Sequence, residues 1–328
     1  MALQHIIYNT LSDVSPYNFE AKAITLFNYQ YHNVPIYNAY VHQLGINPAQ
    51  VIQLAHIPYL PIQFFKNNII ITSGSQAQIT FTSSGTTTHT QAHHYVAHEQ
   101  LYIHSFMHTF KLQYGNPQQY CIIGLLPSYS ERTGSSLIYM ADYLIHQTNH
   151  VHSGYYLHNY EALYHQLLYN EATGTATLLF GVTFALLAFA AKYSLELKHT
   201  TIIETGGMKG KGKELTRNQL YATLHQSFGT RSIHSEYGCT ELLSQAYATQ
   251  HGLYTPPPYL KALIRATDDP MLVSSQGKGM LNFIDLANVY SCAFIATDDV
   301  GEVSANGQFT VLGRQDYSDV RGCSQLTL

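Results

Sequence analysis

Short apolar runs alternate through the middle of the chain with segments of helical periodicity and with polar, glycine-marked loops. The predicted strands cover residues 121–126, 177–181, 200–204 and 231–234. Apolar runs of this length are typical of buried parallel strands, and helices between them indicate repeated strand–helix–strand units. The pattern predicts an α/β chain with a largely parallel sheet, in which ligands bind at the carboxyl ends of the strands.

The first part of the chain has a different pattern. Residues 1–60 carry apolar residues at helical spacing, interrupted by Asn and Pro, and predict helices. Two short strands, 69–73 and 78–82, are predicted around a Ser-Gly-Ser turn. Further helices are expected at 95–112 and 216–228.

After residue 260 the helical periodicity fades, and short strands alternate with glycine turns. We therefore expect two parts: α/β subdomains over residues 1–260 and a small β-rich subdomain over residues 261–328. The longest apolar stretch, 178–191, is too short to cross a bilayer and favours a buried helix.

Composition narrows the function classes only a little. The 328 residues carry a formal net charge of −4, so no basic face for nucleic acid is expected. The four cysteines are scattered without a CxxC pair, which argues against a zinc ribbon or a disulfide framework. The first residues lack a basic segment followed by an apolar one, so we expect no secretory signal and a cytoplasmic protein.

The most informative polar loop, residues 82–88, consists of Ser and Thr side chains around Gly85. Hydroxyls and free backbone N–H groups bind phosphate, and glycine lets the backbone approach it closely. The loop is not a Walker A sequence, because no Gly-Lys-Ser/Thr follows. An ordinary polar turn is the alternative interpretation.

Three more motifs follow predicted strands. Residues 237–241 read Tyr-Gly-Cys-Thr-Glu, and they can stack on a base, bond a phosphate and hold Mg²⁺, or simply cap a helix. Asp299 can accept both hydroxyls of a ribose, or lie in a hairpin turn with solvated acids. Residues 313–316, Gly-Arg-Gln-Asp, offer a guanidinium to ribose or phosphate, or form a surface turn.

Taken together and in this order, the motifs resemble those of the adenylate-forming superfamily of acyl-CoA synthetases and luciferases. Four further segments look like the acyl-protein synthetase, or LuxE-type, branch of that superfamily: residues 57–66, 126–129, 233–238 and 318–323. The resemblance implies an N-terminal-type α/β fold without the mobile C-terminal domain, because the chain ends soon after the Gly-Arg-x-Asp motif.

The resemblance also implies a reaction. A carboxylic acid, expected to be a fatty acid, attacks the α-phosphate of ATP with Mg²⁺, giving acyl-AMP, and the acyl group moves to a thiol. An acyl-accepting reductase, transferase or carrier protein is the expected partner. The implied ATP-binding residues are Ser83, Ser84, Gly85, Thr86, Thr87, Gly206, Gly207, Tyr237, Asp299 and Arg314, with Thr240 at the α-phosphate and Glu241 holding Mg²⁺.

Two further questions concern which residue supplies positive charge to the phosphates and which thiol accepts the acyl group. The family's phosphate loop continues to a lysine, but here no Lys or Arg occurs until Lys111, and His93 or His94 is the candidate replacement. By resemblance, Cys323 carries the acyl thioester; Cys239 is the second candidate. The histidines of segment 89–108 are expected to lie on a solvated helix face rather than to bind zinc. The Lys-Gly loop 209–213 is expected either to attract pyrophosphate or a carrier protein, or to be an ordinary surface loop.

Three functions remain open from the residues alone. The first is an ATP-dependent acyl-activating enzyme. The second is an acyltransferase that uses an acyl thioester donor without adenylation, which the missing loop lysine favours. The third is a non-catalytic subunit that binds acyl-adenylate or a partner.

Overall fold

The computed structural model describes residue 11 and residues 13–83, 91–206, 215–230 and 232–314. The helices are α1 (Phe19–Asn33), α2 (Pro35–Gln43), α3 (Phe64–Asn67), α4 (Glu99–Tyr114), α5 (Ser136–Gln147), α6 (Tyr160–Thr173), α7 (Thr183–Ala190) and α8 (Arg217–Phe228). Among the described residues no helix is long and apolar enough to cross a membrane.

The strands are β1 (Leu60–Pro61), β2 (Ile79–Thr82), β3 (His93–Val96), β4 (Cys121–Leu125), β5 (Gly154–Tyr155), β6 (Thr177–Val182), β7 (Thr200–Thr205), β8 (Ile233–Tyr237), β9 (Ala246–Ala248), β10 (Tyr254–Thr255), β11 (Leu260–Arg265), β12 (Val273–Ser274), β13 (Gly277–Asp285), β14 (Phe294–Val303) and β15 (Phe309–Arg314).

The predicted parallel sheet is confirmed. Strands β5, β4, β6, β7 and β8 lie side by side in that order, and every pair among these neighbours is parallel. All residues of β4 and β6 are buried, which explains their continuous apolar sequence. The carboxyl ends of β4, β6, β7 and β8 therefore meet at one edge, which we call the carboxyl edge.

The same sheet continues past β8 in antiparallel fashion, in the order β9, β10, β15, β14, β13, β11 and β12. As predicted, the described residues after 260 form strands and no helix, but β13 and β14 are long, with 9 and 10 residues. The expected boundary at 260/261 coincides with the start of β11 and stays a prediction. Strands β9 and β10 separate β8 from β15 and β14 in this order.

Two local predictions are wrong. Residues 69–73 form no strand, because their backbone N–H groups bond the carbonyls of Tyr290 and Asn33 instead of a neighbouring strand. The apolar stretch 178–191 is not one helix, since its first half is β6 and only its second half is α7. Glycine and β-branched residues at 181–183 mark the change.

The β2–β3 hairpin stands apart from the large sheet as a two-stranded ribbon. The connection between its two strands runs from Ser83 to Ala92 and includes most of the hydroxyl-rich loop. The Ser83 N–H bonds the Ala92 carbonyl at 3.0 Å, and the Ala92 N–H bonds Ser83 Oγ at 2.9 Å. These two bonds close the base of the loop.

Candidate nucleotide site

Three predicted site residues from distant parts of the chain meet around one carboxylate. The Tyr237 hydroxyl donates to Asp299 Oδ2 at 2.7 Å, and Arg314 Nε donates to Asp299 Oδ1 at 3.0 Å. The sheet register explains the second contact, because Asp299 on β14 lies directly opposite Arg314 on β15. The carboxylate is only 7% exposed, and two donors fix its orientation.

Aromatic packing holds the Tyr237 end of this cluster. Its ring stacks on Phe283 with centroids 5.3 Å apart, and it meets Phe309 edge-on, also at 5.3 Å. Burial, followed by the neighbouring Asp299 carboxylate, raises the pKa of Tyr237 well above its usual value. The hydroxyl therefore stays protonated and remains a donor to Asp299. The charge of Asp299 in turn raises the pKa of Arg314.

Glu241 brings a second, buried carboxylate to the same place. Its residue is 5% exposed, and burial raises its pKa, although the Cys239 thiol hydrogen-bonds to it and Arg314 attracts its charge. Arg314 and Asp299 both act on Glu241 electrostatically, so Glu241 lies close to the Asp299 cluster. A carboxylate in this position is stabilised by any cation that enters the site.

The backbone of Thr240 and Glu241 is held from below. His94 Nδ1 donates to the Thr240 carbonyl at 2.8 Å, and Asn288 Nδ2 donates to the Glu241 carbonyl at 2.9 Å. His94 Nε2 lies 3.1 Å from Asn288 Oδ1, but a neutral ring that donates from Nδ1 has no proton at Nε2 to donate to that oxygen. This network couples the β2–β3 hairpin to the loop after β8.

His94 does not replace the missing loop lysine. The residue is fully buried, and burial lowers the pKa of His94 to about 4, outweighing its contacts with the Thr240 and Asn288 oxygens. Its ring is therefore neutral near pH 7 and faces protein carbonyls. His93, on the opposite face of β3, is partly exposed, and its ring stacks on Tyr95 with centroids 6.3 Å apart.

Gly206 lies at the carboxyl edge directly after β7, with φ +74°, a conformation that favours glycine. The preceding Thr205 hydroxyl donates to Glu236 Oε2 on β8 at 2.6 Å. An ideal Cβ at Gly238 would come within 2.8 Å of Glu236 Oε1, so glycine at 238 leaves room for this carboxylate.

Several predicted residues lie outside the described residues: Ser84, Gly85, Thr86, Thr87, Gly207, Asp316, Cys323 and the loop 209–213. Ser83, Gly206, Tyr237, Thr240, Glu241, Asp299 and Arg314 are described. The structure brings Tyr237, Glu241, Asp299 and Arg314 together, with Thr240 tied to the hairpin that carries Ser83.

A family model described as acyl-protein synthetase, LuxE, matches residues 15–327. The chain belongs to the LuxE acyl-protein synthetase family. No curated protein matches it at the level of sequence. The LuxE family assignment agrees with the order and spacing of the four sequence motifs.

Solved structures of adenylate-forming ligases share the fold. ATP-bound MatB from Rhodopseudomonas palustris is 17% identical, with 72% of this chain and 47% of that chain covered and a TM-score of 0.53. O-succinylbenzoate-CoA synthetase (MenE) from Bacillus subtilis, in complex with ATP and magnesium, is 16% identical, covers 72% and 49%, and has a TM-score of 0.50.

A 2-hydroxyisobutyryl-CoA ligase in complex with its acyl-AMP and CoA is 10% identical, with 90% of this chain and 68% of that chain covered and a TM-score of 0.63. The LuxE-family chain spans about half the length of the MatB and MenE chains. These likenesses establish the N-terminal-type α/β fold of the ligases.

Sequence reasoning missed the residues that hold the site of this LuxE-family chain. Asp285 is fully buried and accepts from the Leu243 N–H at 2.7 Å and from the Ser244 N–H at 2.9 Å. It therefore fixes the segment after Glu241, as Asn288 and His94 fix the Thr240–Glu241 backbone. Asp285 is the last residue of β13, whose preceding residues are buried. A carboxylate at the end of a buried strand is the sequence feature that could have identified it.

A second missed network lies under the carboxyl edge. Glu204 on β7 accepts hydrogen bonds from the Thr183 hydroxyl and, at 3.1 Å, from the Ser235 hydroxyl. Ser235 also bonds the Tyr221 hydroxyl at 2.7 Å. Polar residues inside otherwise apolar strands indicate a buried hydrogen-bond network. The sequence does not reveal its partners, because they lie on other helices and strands.

Proposed function

We propose that this LuxE-family chain activates a carboxylic acid, a fatty acid in particular, with MgATP and passes the acyl group to a protein thiol. The convergence of Tyr237, Glu241, Asp299 and Arg314 at the carboxyl edge carries the proposal. These groups match, position by position, the nucleotide-binding residues that the family resemblance implies, although they come from three separate parts of the chain.

On the adenosine side, Asp299 accepts the ribose hydroxyls. Tyr237 and Arg314 each donate to one of its oxygens, but an ionised carboxylate has about four acceptor positions, so capacity remains. Arg314 contributes its other guanidinium N–H groups to ribose or phosphate. Gly206 and Gly207 lie along the adenine, and the ring of Tyr237 packs against it.

On the phosphate side, residues 83–87 and Thr240 hold phosphate oxygens through hydroxyl and backbone N–H groups. Glu241 fits a Mg²⁺ ligand, because it is a hard oxygen donor whose ionised form is destabilised by burial until a cation arrives. Mg²⁺ bound with ATP would offset charge on the phosphates. Among the described residues no group of three or more His, Cys, Asp or Glu forms a metal site on its own.

The reaction has two steps. A carboxylate oxygen forms a bond to the α-phosphorus of ATP, and the bond to pyrophosphate breaks. A thiolate then attacks the acyl carbon, forming a thioester and releasing AMP. Both reacting partners in the first step are anions, so the protein's contribution is chiefly positioning and charge stabilisation.

The described cysteines are poor acyl acceptors. Burial raises the pKa of Cys121, of Cys239 and of Cys292, the last to about 12, and the Glu241 carboxylate raises that of Cys239 further. Because the thiolate is the nucleophile, these thiols are inert near neutral pH. This supports Cys323 as the acceptor, with a thiol on a reductase, transferase or carrier protein as the alternative.

Carboxylate-dependent ATP–pyrophosphate exchange tests adenylation. We expect exchange with long-chain acids and compare short and aromatic acids in parallel. Glu241→Gln should reduce exchange at saturating Mg²⁺ by about 100-fold, corresponding to about 3 kcal/mol of lost charge interaction. Glu302→Gln, which changes an exposed side chain on β14, is the matched control and should exchange normally. Absence of exchange by the wild type with every acid, with candidate acceptor proteins present, would contradict the proposal.

One observation favours a second function. Residues 67–110 contain no Lys or Arg, so the phosphate loop supplies no cation of its own. An acyltransferase that takes its acyl group from a thioester donor needs no β- or γ-phosphate contact. Transfer from acyl-CoA to the protein without ATP, combined with no exchange, would establish that function instead.

A further inference from the structure

The segment that follows β4 at the carboxyl edge, residues 126–135, forms a tight loop of its own. The Glu131 carboxylate accepts from the Ser128 N–H and the Ser128 hydroxyl, both at 2.7 Å, and its other oxygen lies 2.6 Å from His158 Nε2. These contacts lower the pKa of Glu131 to about 2. Both carboxylate oxygens are therefore committed to Ser128 and His158.

The loop is joined to the hairpin that carries the proposed phosphate loop. The Thr82 N–H donates to the Gly134 carbonyl at 2.7 Å. Gly134 has φ +82°, and a Cβ there would come within 3.0 Å of Thr82 Oγ1, so the two backbones approach closely. The neighbouring strand of the hairpin reaches Thr240 through His94. The end of the hairpin at which Thr82 pairs with His93 thus lies between the 126–135 loop and Thr240.

Arg132 is the cation of this loop, two residues before Gly134. Its side chain is partly exposed, and within the described part of the chain its guanidinium forms no hydrogen bond or ion pair. The adjacent Glu131 forms no ion pair with it, because the oxygens of that carboxylate bond Ser128 and His158. Among the described residues, Arg132 is therefore an unpaired cation two residues from Gly134, whose carbonyl accepts from the Thr82 N–H just before a segment, 83–92, that contains neither Lys nor Arg.

We infer that Arg132 binds the β- and γ-phosphates of ATP, and the pyrophosphate released from it. The inference rests on the proposed function and supplies, from the loop after β4, the positive charge that the hydroxyl-rich loop lacks. A guanidinium suits this role, because its planar set of donors can bond two phosphate oxygens at once. The segment also follows β4 at the edge where ligands of such sheets bind.

Comparison of three ligands tests this assignment. In Arg132→Gln, dissociation constants for ATP and pyrophosphate should rise about 10- to 100-fold, as expected for loss of a charged hydrogen bond, whereas that for AMP should not change. Arg132→Lys should recover part of the loss. Lys198→Gln, which removes one exposed charge just before β7 at the opposite edge, is the matched control and should bind all three ligands normally.

Each other result has a definite meaning. Equal weakening of AMP, ATP and pyrophosphate, or a lowered melting temperature in Arg132→Gln, would overturn a contact specific to the β,γ-phosphates. A raised KM for the carboxylic acid alone would assign Arg132 to the acyl substrate and would also overturn it. Normal wild-type binding of ATP with an unaffected Arg132→Gln variant sinks this inference only, whereas a wild type that binds neither ATP nor AMP sinks the proposed function as well.

Discussion

At the scale of single residues, Asp299 and its neighbour Asp298 show how two identical side chains acquire different uses. Successive residues of a strand point to opposite faces. Asp299 faces Tyr237 and Arg314, whereas both oxygens of Asp298 accept from Gln63 Nε2, at 2.6 and 2.7 Å. Asp298 thus ties β14 to the segment around β1, and Asp299 is left for the nucleotide.

This difference gives a prediction. Asp299→Asn should weaken ATP and AMP equally, by about 10- to 100-fold, because charged hydrogen bonds to both ribose hydroxyls are lost. Pyrophosphate, which lacks ribose, should bind as before. Calorimetric titration with the three ligands measures this. Asp298→Asn is the matched control; an equal loss of AMP binding in both variants would show that the effect is structural.

Sequence motifs identified the residues that face the proposed ligand, but not those that hold them. Tyr237, Glu241 and Arg314 belong to short motifs with a chemical logic of their own. Asp285 and His94 have no such motif. Their roles depend on hydrogen bonds to residues that lie far away in the sequence, and only the folded sheet reveals these pairings.

At the scale of secondary-structure elements, the β2–β3 hairpin is positioned by a buried neutral histidine. Its strand β3 alternates half-buried His93 and Tyr95 with buried His94 and Val96. This alternation places His94 under the loop after β8, where it bonds the Thr240 carbonyl. The imidazole of His94 thus ties the hairpin directly to Thr240.

The low pKa of His94 predicts a pH dependence of stability. The unfolded chain binds a proton at His94 below about pH 6.5, whereas the folded chain does so only near pH 4, so stability falls as the pH falls through this window. Linkage gives a loss of about 2 kcal/mol between pH 7 and pH 5 from this residue. Urea unfolding at both pH values measures it.

The control for this prediction lies on the same strand. His94→Gln should be less stable than the wild type at pH 7. It should not show the further loss of about 2 kcal/mol between pH 7 and pH 5 that linkage assigns to His94. His93→Gln, on the other face of β3, should keep the wild-type pH dependence. If His94→Gln loses stability with falling pH as steeply as the wild type, the imidazole is not buried in its neutral form.

At the scale of the whole molecule, the alternation of apolar runs and glycine loops predicted the parallel half of the sheet well, because β4 and β6 are buried along their whole length. The antiparallel half was foreseen only as short strands. Their order across the sheet could not be derived, since it depends on pairings such as β10 with β15. Arg314 reaches the end of β8 through Asp299, which bonds both Arg314 on the neighbouring strand and Tyr237 on β8, so the site depends on how the strands pair.

The proposed function needs an acyl acceptor, and the raised pKa values of the described thiols leave Cys323 as the candidate within this chain. Hydroxylamine-labile acyl label, formed with ATP and a fatty acid and mapped by mass spectrometry, tests it. Cys323→Ser should lose at least about 90% of the label yet keep ATP–pyrophosphate exchange, because adenylation precedes transfer and only the thiolate nucleophile is removed.

Cys239→Ser is the comparison, since Cys239 is the second candidate and lies beside Glu241. Its thiol is held protonated by burial and by that carboxylate, so the variant should retain the label. Normal labelling of Cys323→Ser would remove the terminal cysteine from the mechanism. If the label instead disappears in Cys239→Ser, the Cys239 thiol must become reactive when the nucleotide binds. Mg²⁺ bound to Glu241 would offset the negative charge that raises the pKa of Cys239. If labelling survives in both variants, the remaining acceptors are Cys121 and Cys292, and either would require opening of the core that now encloses them.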